Sequence, residues 1–185
     1  MYNVITGLLL VSSPTMSISQ FIQEVLEEIE PNAIFTGPLP KVKSSNGKTY
    51  FVKMGSPSEA EQYIGEAESL KAMGAGAPGL VPTVYKCGMK DGRPYFISDY
   101  KEMGSGKAAS VLAKRLATEM HRYANPNGKF GFEIPTYCGA TRLQNGWFDT
   151  WEECYSSMMK DLVNQLKKRG KFNEVCNKAD RVIQE

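Results

Sequence analysis

A strand that ends in a cation, followed by a helix that carries a carboxylate, constrains this chain more than any other feature in it. Tyr50, Phe51 and Val52 are aromatic or β-branched and follow an Asn46-Gly47 turn. Residues 48–53 are therefore the second arm of a hairpin whose first arm is Lys41-Val42-Lys43. Lys53 closes that apolar strand. Downstream of a start at Pro57-Ser58, Ala60, Tyr63, Ile64, Ala67, Leu70 and Met73 recur at helical spacing. At about 100° per residue, Glu66 falls beside Leu70 and Met73 on the edge of this apolar stripe. Glu61 and Glu68 fall on the far side, toward solvent. A lysine at a strand end and a glutamate on the inner edge of the next helix can meet in the fold.

Such a pair has the geometry of the ion pair that holds nucleotide phosphates in kinases. The same spacing is met by a surface lysine and one of several helix glutamates, so the rest of the chain has to decide. Upstream, Ser17 with Gln20 fits a capping box, and Ile18, Phe21, Ile22, Val25, Leu26 and Ile29 form one apolar helix face that ends at Pro31. Ala33-Ile34-Phe35 is a candidate first strand. After the Glu66 helix, which is expected to stop before Gly74, comes a loop through Gly79. Val84-Tyr85-Lys86-Cys87, a turn at Asp91-Gly92 and the arm 94–100 make a second hairpin. Residues 33–100 are thus strand-rich with one helix inserted.

The character changes after Tyr100. Gly104-Ser105-Gly106 resembles a linker, and Val111, Leu112, Leu116 and Met120 begin a helical region. Residues 130–149 carry glycine, proline and aromatics without periodicity. Thr150 with Glu153 is another capping box, and Trp151, Cys154, Tyr155, Met158, Met159, Leu162, Val163 and Leu166 mark an amphipathic helix whose stripe is ordinary packing.

Composition excludes several classes. A chain of 185 residues with 42% hydrophobic and 10% aromatic content supports a core. A net charge of +2 without lysine or arginine clusters argues against nucleic acid as a partner. Cys87, Cys138, Cys154 and Cys176 lie far apart and pair poorly with the single His121 as a zinc set, so no metal site is expected. Reduced thiols in a cytoplasmic protein are expected instead. The run Leu8 to Val11 lacks a basic flank and is too short to span a bilayer, so no membrane partner is expected and 1–16 is taken as a disordered or misassigned leader, not a signal. Two nucleotide motifs are decoys. Gly74, Gly76 and Gly79 match G-x-G-x-x-G but follow a helix instead of a strand. Gly104-Ser105-Gly106-Lys107 lacks the earlier glycine and the following Ser/Thr of a phosphate loop.

Read together, Lys48-Thr49-Tyr50-Phe51-Val52-Lys53, Gly65-Glu66-Ala67-Glu68-Ser69-Leu70 and Val81-Pro82-Thr83-Val84-Tyr85 resemble the fructosamine/ketosamine 3-kinase family. Leu112-Ala113-Lys114-Arg115-Leu116-Ala117 with Met120-His121 is similar to that family's L-x-x-x-L-A-x-x-H helix. The most specific match is Phe130-Gly131-Phe132, then Pro135 to Thr141, then Asn145-Gly146-Trp147 and Trp151-Glu152-Glu153. The match is nearest to the fungal branch, described as protein-ribulosamine 3-kinases, and it runs from about Ile34 to about Lys171. The resemblance implies a protein-kinase-like α+β fold, with a small antiparallel-sheet nucleotide-binding lobe (17–100) and part of a large helical lobe (101–185). It implies ATP and Mg²⁺ as cofactors, and glycated proteins or small ketosamines as substrates phosphorylated on the 3-hydroxyl. By resemblance, Lys53 would meet the phosphates, Glu66 would orient Lys53, and Asp99 and Tyr100 would form the hinge whose backbone meets adenine. Residues 130–147 would supply part of the sugar-amine pocket, and His121, at a helix end, would be structural. An aminoglycoside or choline kinase fits the Gly139-Ala140-Thr141 and Asn145-Gly146-Trp147 stretches less well.

Two departures set further expectations. The family's glycine-rich phosphate loop corresponds here to residues 36–42, which hold one glycine and two prolines, and each proline removes a backbone donor. The family's H-G-D-L-W-x-G-N catalytic loop and D-P-A metal segment are not among the 185 residues. These residues alone are therefore expected to hold no catalytic residue and no metal ligand, and to show no kinase turnover. They are also expected to leave apolar helix surface open to self-association. The alternative function is that of a catalytically dead pseudokinase fragment, acting by binding nucleotide or a protein partner.

Overall fold

Residues alternate between two faces along a strand, and the strand that carries Lys53 uses both. The structure is a computed structural model that describes residues 18–104 and 108–184. The expected leader 1–16, the Ser17 cap, and Ser105, Gly106 and Lys107 of the expected linker and decoy lie outside them. Five strands, β1 (Phe35–Thr36), β2 (Lys41–Ser44), β3 (Thr49–Met54), β4 (Val84–Lys90) and β5 (Arg93–Asp99), form one antiparallel sheet in the order β1-β2-β3-β5-β4. Both expected hairpins are present. Gly47 turns with φ +88, while Asp91 and Gly92, at φ +50 and +70, make the doubly left-handed turn that suits a tight hairpin. The first strand starts two residues later than expected, because only Phe35 and Thr36 find register partners in β2 before Gly37 and Pro38 turn the chain.

One sheet face packs against helix α1 (Gln20–Glu27). Ile22, Val25 and Leu26 meet Val42, Tyr50, Val52, Tyr95 and Ile97 there. The other face packs against helix α2 (Ala60–Gly76), where Tyr63, Ala67 and Leu70 meet Phe51 and Phe96. Because both faces are covered, β5 is buried without interruption from Pro94 to Ser98, the pattern of a fully enclosed strand. The Lys90–Glu24 pair at 2.5 Å and the Lys86–Glu28 pair tie α1 to β4. The cap of α1 differs from expectation. Gln20 is its first residue, Ser19 is the cap position without a side-chain bond, and the Gln20 amide donates to Glu24 at 2.9 Å.

A 3₁₀ turn at Pro57–Glu59, with Ser56 and Glu59 in a reciprocal capping box, leads into α2. The expected stop before Gly74 is wrong, and the helix continues to Gly76. Tertiary contact overrides the roughly 1 kcal/mol that each helical glycine costs. A Cβ at Gly76 would come within 3.1 Å of Tyr123, and Ala77 at the helix end is buried and donates to the Met73 carbonyl at 2.9 Å.

After the sheet come helix α3 (Ala109–Thr118) and a 3₁₀ turn, Met120–Arg122, that carries His121. The stretch 130–149, which shows no periodicity, forms two small ribbons. In one, β6 (Phe130–Gly131) pairs with β9 (Trp147–Phe148), and in the other β7 (Thr136–Cys138) pairs with β8 (Thr141–Leu143). Strands of two or three residues are too short for alternation to show. Helix α4 (Trp151–Lys168) begins with the expected Thr150–Glu153 capping box. It packs against a helix the sequence reading missed, α5 (Asn173–Gln184), although Val175, Cys176, Ala179 and Val182 recur at helical spacing. Cys154 and Cys176 are buried there, while Tyr155, Val175 and Val182 stay exposed. Among the described residues no helix is long and apolar enough to cross a membrane.

Candidate functional site

Period-two alternation puts Lys53 on the same face of β3 as Phe51, opposite the face that Tyr50 and Val52 bury against α1. Lys53 Nζ donates to Glu66 Oε2 at 2.7 Å and stands 4.9 Å from the centre of the Tyr63 ring. Both charged side chains are about a third exposed, at 30% and 35%. A pair this wet contributes on the order of 1 kcal/mol or less, so holding the fold together is not its main effect. Its geometry leaves an ammonium with three donors fixed at the edge of a cleft, one of them satisfied by Glu66.

The cleft measures about 430 Å³. Phe51, Leu70 and Phe96 give it apolar lining, Pro40 and Pro82 also line it, and so does the segment from Ser98 to Lys101. Glu66, Asp99 and Tyr100 all line it. Their polar groups are not equally free. The Asp99 N–H donates to the Thr83 carbonyl at 3.0 Å, its carboxylate accepts from the Thr83 N–H, and it pairs with Lys101 at 2.5 Å. The Tyr100 N–H donates to the Thr49 carbonyl at 3.1 Å, and Lys41, which also pairs with Glu102, lies 4.4 Å over the Tyr100 ring. No backbone carbonyl among the described residues accepts from the Lys101 N–H. Lys101 and the apolar wall were not singled out from the sequence. Phe51 was within reach, since it sits two residues before Lys53 in the same strand.

The loop over this cleft is tight. Gly37 has φ +119, and a Cβ there would lie 2.7 Å from the Lys41 carbonyl oxygen, so glycine is required by conformation and by space. The Pro40 carbonyl accepts from the Val52 N–H at 2.8 Å and lays the loop against β3. Among the described residues no three His, Cys, Asp or Glu side chains converge as a metal-holding group. His121 is not among the residues that line the cleft. Burial pushes the Cys87 and Cys154 thiols up, and all four cysteines are free.

Glu61 lies exposed, as expected, and still gains partners from far along the chain. Arg142 grips it with two N–H donors, Nε to Oε2 at 2.7 Å and Nη2 to Oε1 at 2.9 Å, and the Tyr137 hydroxyl donates to it as well. The Arg142 bond first, then Tyr137, holds the Glu61 carboxyl down at about 2. A depressed carboxylate contributes stability above its unfolded value near 4.5 and loses it as pH falls toward 2. The gap in melting temperature between the wild type and Glu61→Gln is therefore expected to be full at pH 6 and to close between about pH 4.5 and 2. A gap that stays constant through that window would show that the ion pair does not form in solution.

Comparison with known proteins bears on the family and the fold. Residues 15–185 match the fructosamine kinase family. The chain is 32% identical over 146 residues to a chloroplastic protein-ribulosamine 3-kinase of Oryza sativa subsp. japonica, covering 76% of this chain and 42% of that protein. It is 34% identical over 142 residues to the corresponding protein of Oryza sativa subsp. indica, covering 74% and 40%. The chain thus spans about two fifths of the length of the curated relatives it matches. A crystal structure assigned as a fructosamine-3-kinase from Haemophilus somnus 129PT superposes with a TM-score of 0.65 at 20% identity, over 88% of this chain and 58% of that one. With 171 consecutive residues matched and the backbone superposing on a solved structure of this kind, this chain has the kinase-like α+β fold and belongs to the fructosamine kinase family.

Proposed function

We propose that this chain forms the nucleotide-holding part of an ATP-dependent ketosamine kinase. The enzyme would transfer the γ-phosphate to the 3-hydroxyl of ribulosamine or fructosamine adducts, on protein lysines or on small ketosamines, and so repair glycated protein. The observation that carries the reading is the Lys53–Glu66 contact at 2.7 Å, made at the edge of the same cleft that the Asp99-Tyr100-Lys101 segment lines. A volume of about 430 Å³ lies in the range of small-molecule pockets, roughly 300–1,000 Å³.

In this reading Phe51, Leu70 and Phe96 enclose the adenine ring, and the Lys101 N–H, which donates to no backbone carbonyl among the described residues, and the carbonyls beside it read its edge. Asp99 and Tyr100 act mainly by holding this segment to the sheet, because their own N–H groups are taken. Lys53 neutralises phosphate charge, and Glu66 keeps its ammonium aimed. In phosphoryl transfer, positioning and charge stabilisation are most of what a protein contributes. Mg²⁺ would supply the remaining charge neutralisation from ligands other than those described. Support for a ribulosamine or fructosamine substrate comes from the family and from the rice relatives, and the four free thiols fit a reducing compartment such as the cytoplasm.

Calorimetric titration of the 185-residue chain with Mg·ATP tests the reading without requiring turnover. Saturable binding near one nucleotide per chain is expected. Heats no different from dilution at millimolar nucleotide would overturn it.

A further inference from the structure

Helix α2 has a third face, and a short hairpin occupies it. Besides the two-pronged Arg142 grip and the Tyr137 hydroxyl on Glu61, the Gln62 side chain donates to the Gly139 carbonyl at 3.2 Å. Gly65, next in sequence to Glu66, is buried against the start of β7. A Cβ at this position would fall 2.6 Å from the Pro135 carbonyl oxygen and 3.4 Å from the Thr136 Cα. No residue but glycine allows backbone to come this close. The hairpin is anchored in turn, since Gln165 of α4 donates to the Arg142 carbonyl at 2.8 Å and Asn145 donates to Ile134 and Thr136 at 2.8 and 2.9 Å.

Glu66 also lines a second cavity, of about 250 Å³, between α2 and β7. Glu66 therefore stands between two spaces, the cleft described above and this cavity on the hairpin side, with Lys53 Nζ 2.7 Å from its carboxylate. Space behind the helix lets α2 rotate or slide, and something must set its position. Glu61 lies five residues before Glu66, about 7.5 Å along the axis and about 140° around it. A contact that pins Glu61 and Gly65 on one face of a rigid helix fixes where Glu66 points on the other.

We propose that the β7–β8 hairpin is a brace for α2, with Arg142, Glu61 and Gly65 as positioning residues that keep Glu66 on Lys53. Any one exposed ion pair contributes little. Here a two-pronged arginine sets the rotation of the helix while the Gly65–Pro135 approach sets its distance. The consequence for nucleotide rests on the function proposed above, but the brace does not.

Acylation of Lys53, followed by mass spectrometry and normalised to the remote Lys178, reads the contact directly. Glu66 and the Tyr63 ring cover the ammonium, so withdrawing Glu66 opens it to reagent. Glu66→Gln sets the rate for a lost pair. Arg142→Gln and Gly65→Ala are each expected to raise the Lys53 rate about threefold, and the reversed pair Glu61→Arg with Arg142→Glu to return it to near wild type. A merely structural hairpin would lower the melting temperature without moving the Lys53 rate. If Gly65→Ala does not fold, Arg142→Gln and Glu61→Gln decide the matter. An unchanged Lys53 rate in the folded hairpin variants overturns the brace. Failure of Mg·ATP to bind the wild type overturns the nucleotide reading instead and leaves this comparison intact.

Discussion

Lys53→Ala is expected to weaken Mg·ATP binding by about ten- to a hundredfold. The estimate takes a hydrogen bond to a charged group as about 1.5–3 kcal/mol, with roughly 1.4 kcal/mol per factor of ten. Glu66→Gln is expected to cost less, about three- to tenfold, because it leaves Lys53 in place and removes only the group that aims it. Both variants should melt close to the wild type, since the pair is about a third exposed and contributes little to the fold. Calorimetry on the three proteins checks the order of effects. Wild-type affinity in Lys53→Ala would place the phosphates elsewhere. A large drop in melting temperature would mean that the pair is structural after all.

The largest effect on stability is expected at Tyr50. Its side chain is fully buried between sheet and α1, with the rings of Phe35 and Tyr85 edge-on at 6.1 and 5.4 Å, and its hydroxyl donates to Glu30 Oε2 at 2.8 Å. Tyr50→Ala removes an aromatic ring from a close-packed core and is expected to cost about 3–5 kcal/mol in urea unfolding. Tyr50→Phe keeps the ring, loses only the bond to Glu30, and is expected to cost about 1–2 kcal/mol. The two variants differ in alkali as well. Burial first, and then the Glu30 carboxylate, push the Tyr50 phenol up from 10.0. A raised acid favours the fold in its neutral form, so this contribution is whole below pH 10 and is lost as pH rises above it. Tyr50→Phe should lack that loss. An identical alkaline decline in the phenylalanine variant would assign it to other groups.

The legible parts of this molecule are those written over short distances. The hairpins follow from Asn46-Gly47 and Asp91-Gly92, where the turn residues sit between alternating strands. The start of α4 follows from Thr150 and Glu153, three residues apart. That Lys53 and Glu66 can meet follows from two periods, two residues in β3 and 3.6 in α2, each readable by itself, whereas the contact itself was left open by spacing. Helix α5 was legible too, in the helical spacing of Val175, Cys176, Ala179 and Val182.

Taken alone, the sequence determined the hairpins and the apolar helix faces, because each depends on residues near one another or on a repeating angle. Only the tertiary structure decided how far α2 runs. Gly74 and Gly76 signal a helix end by propensity, and Tyr123, some 47 residues after Gly76, covers the helix there and carries it on. Tertiary structure also decided the fate of Glu61. Its place on the helix is polar and stays exposed, and Arg142, 81 residues away, gives it a partner there that the helix alone does not supply. The same holds for Asp99 and Tyr100, whose N–H groups are claimed by the Thr83 and Thr49 carbonyls. Periodicity tells which side of an element is apolar. What arrives to cover its polar side depends on chain that returns from far along the sequence.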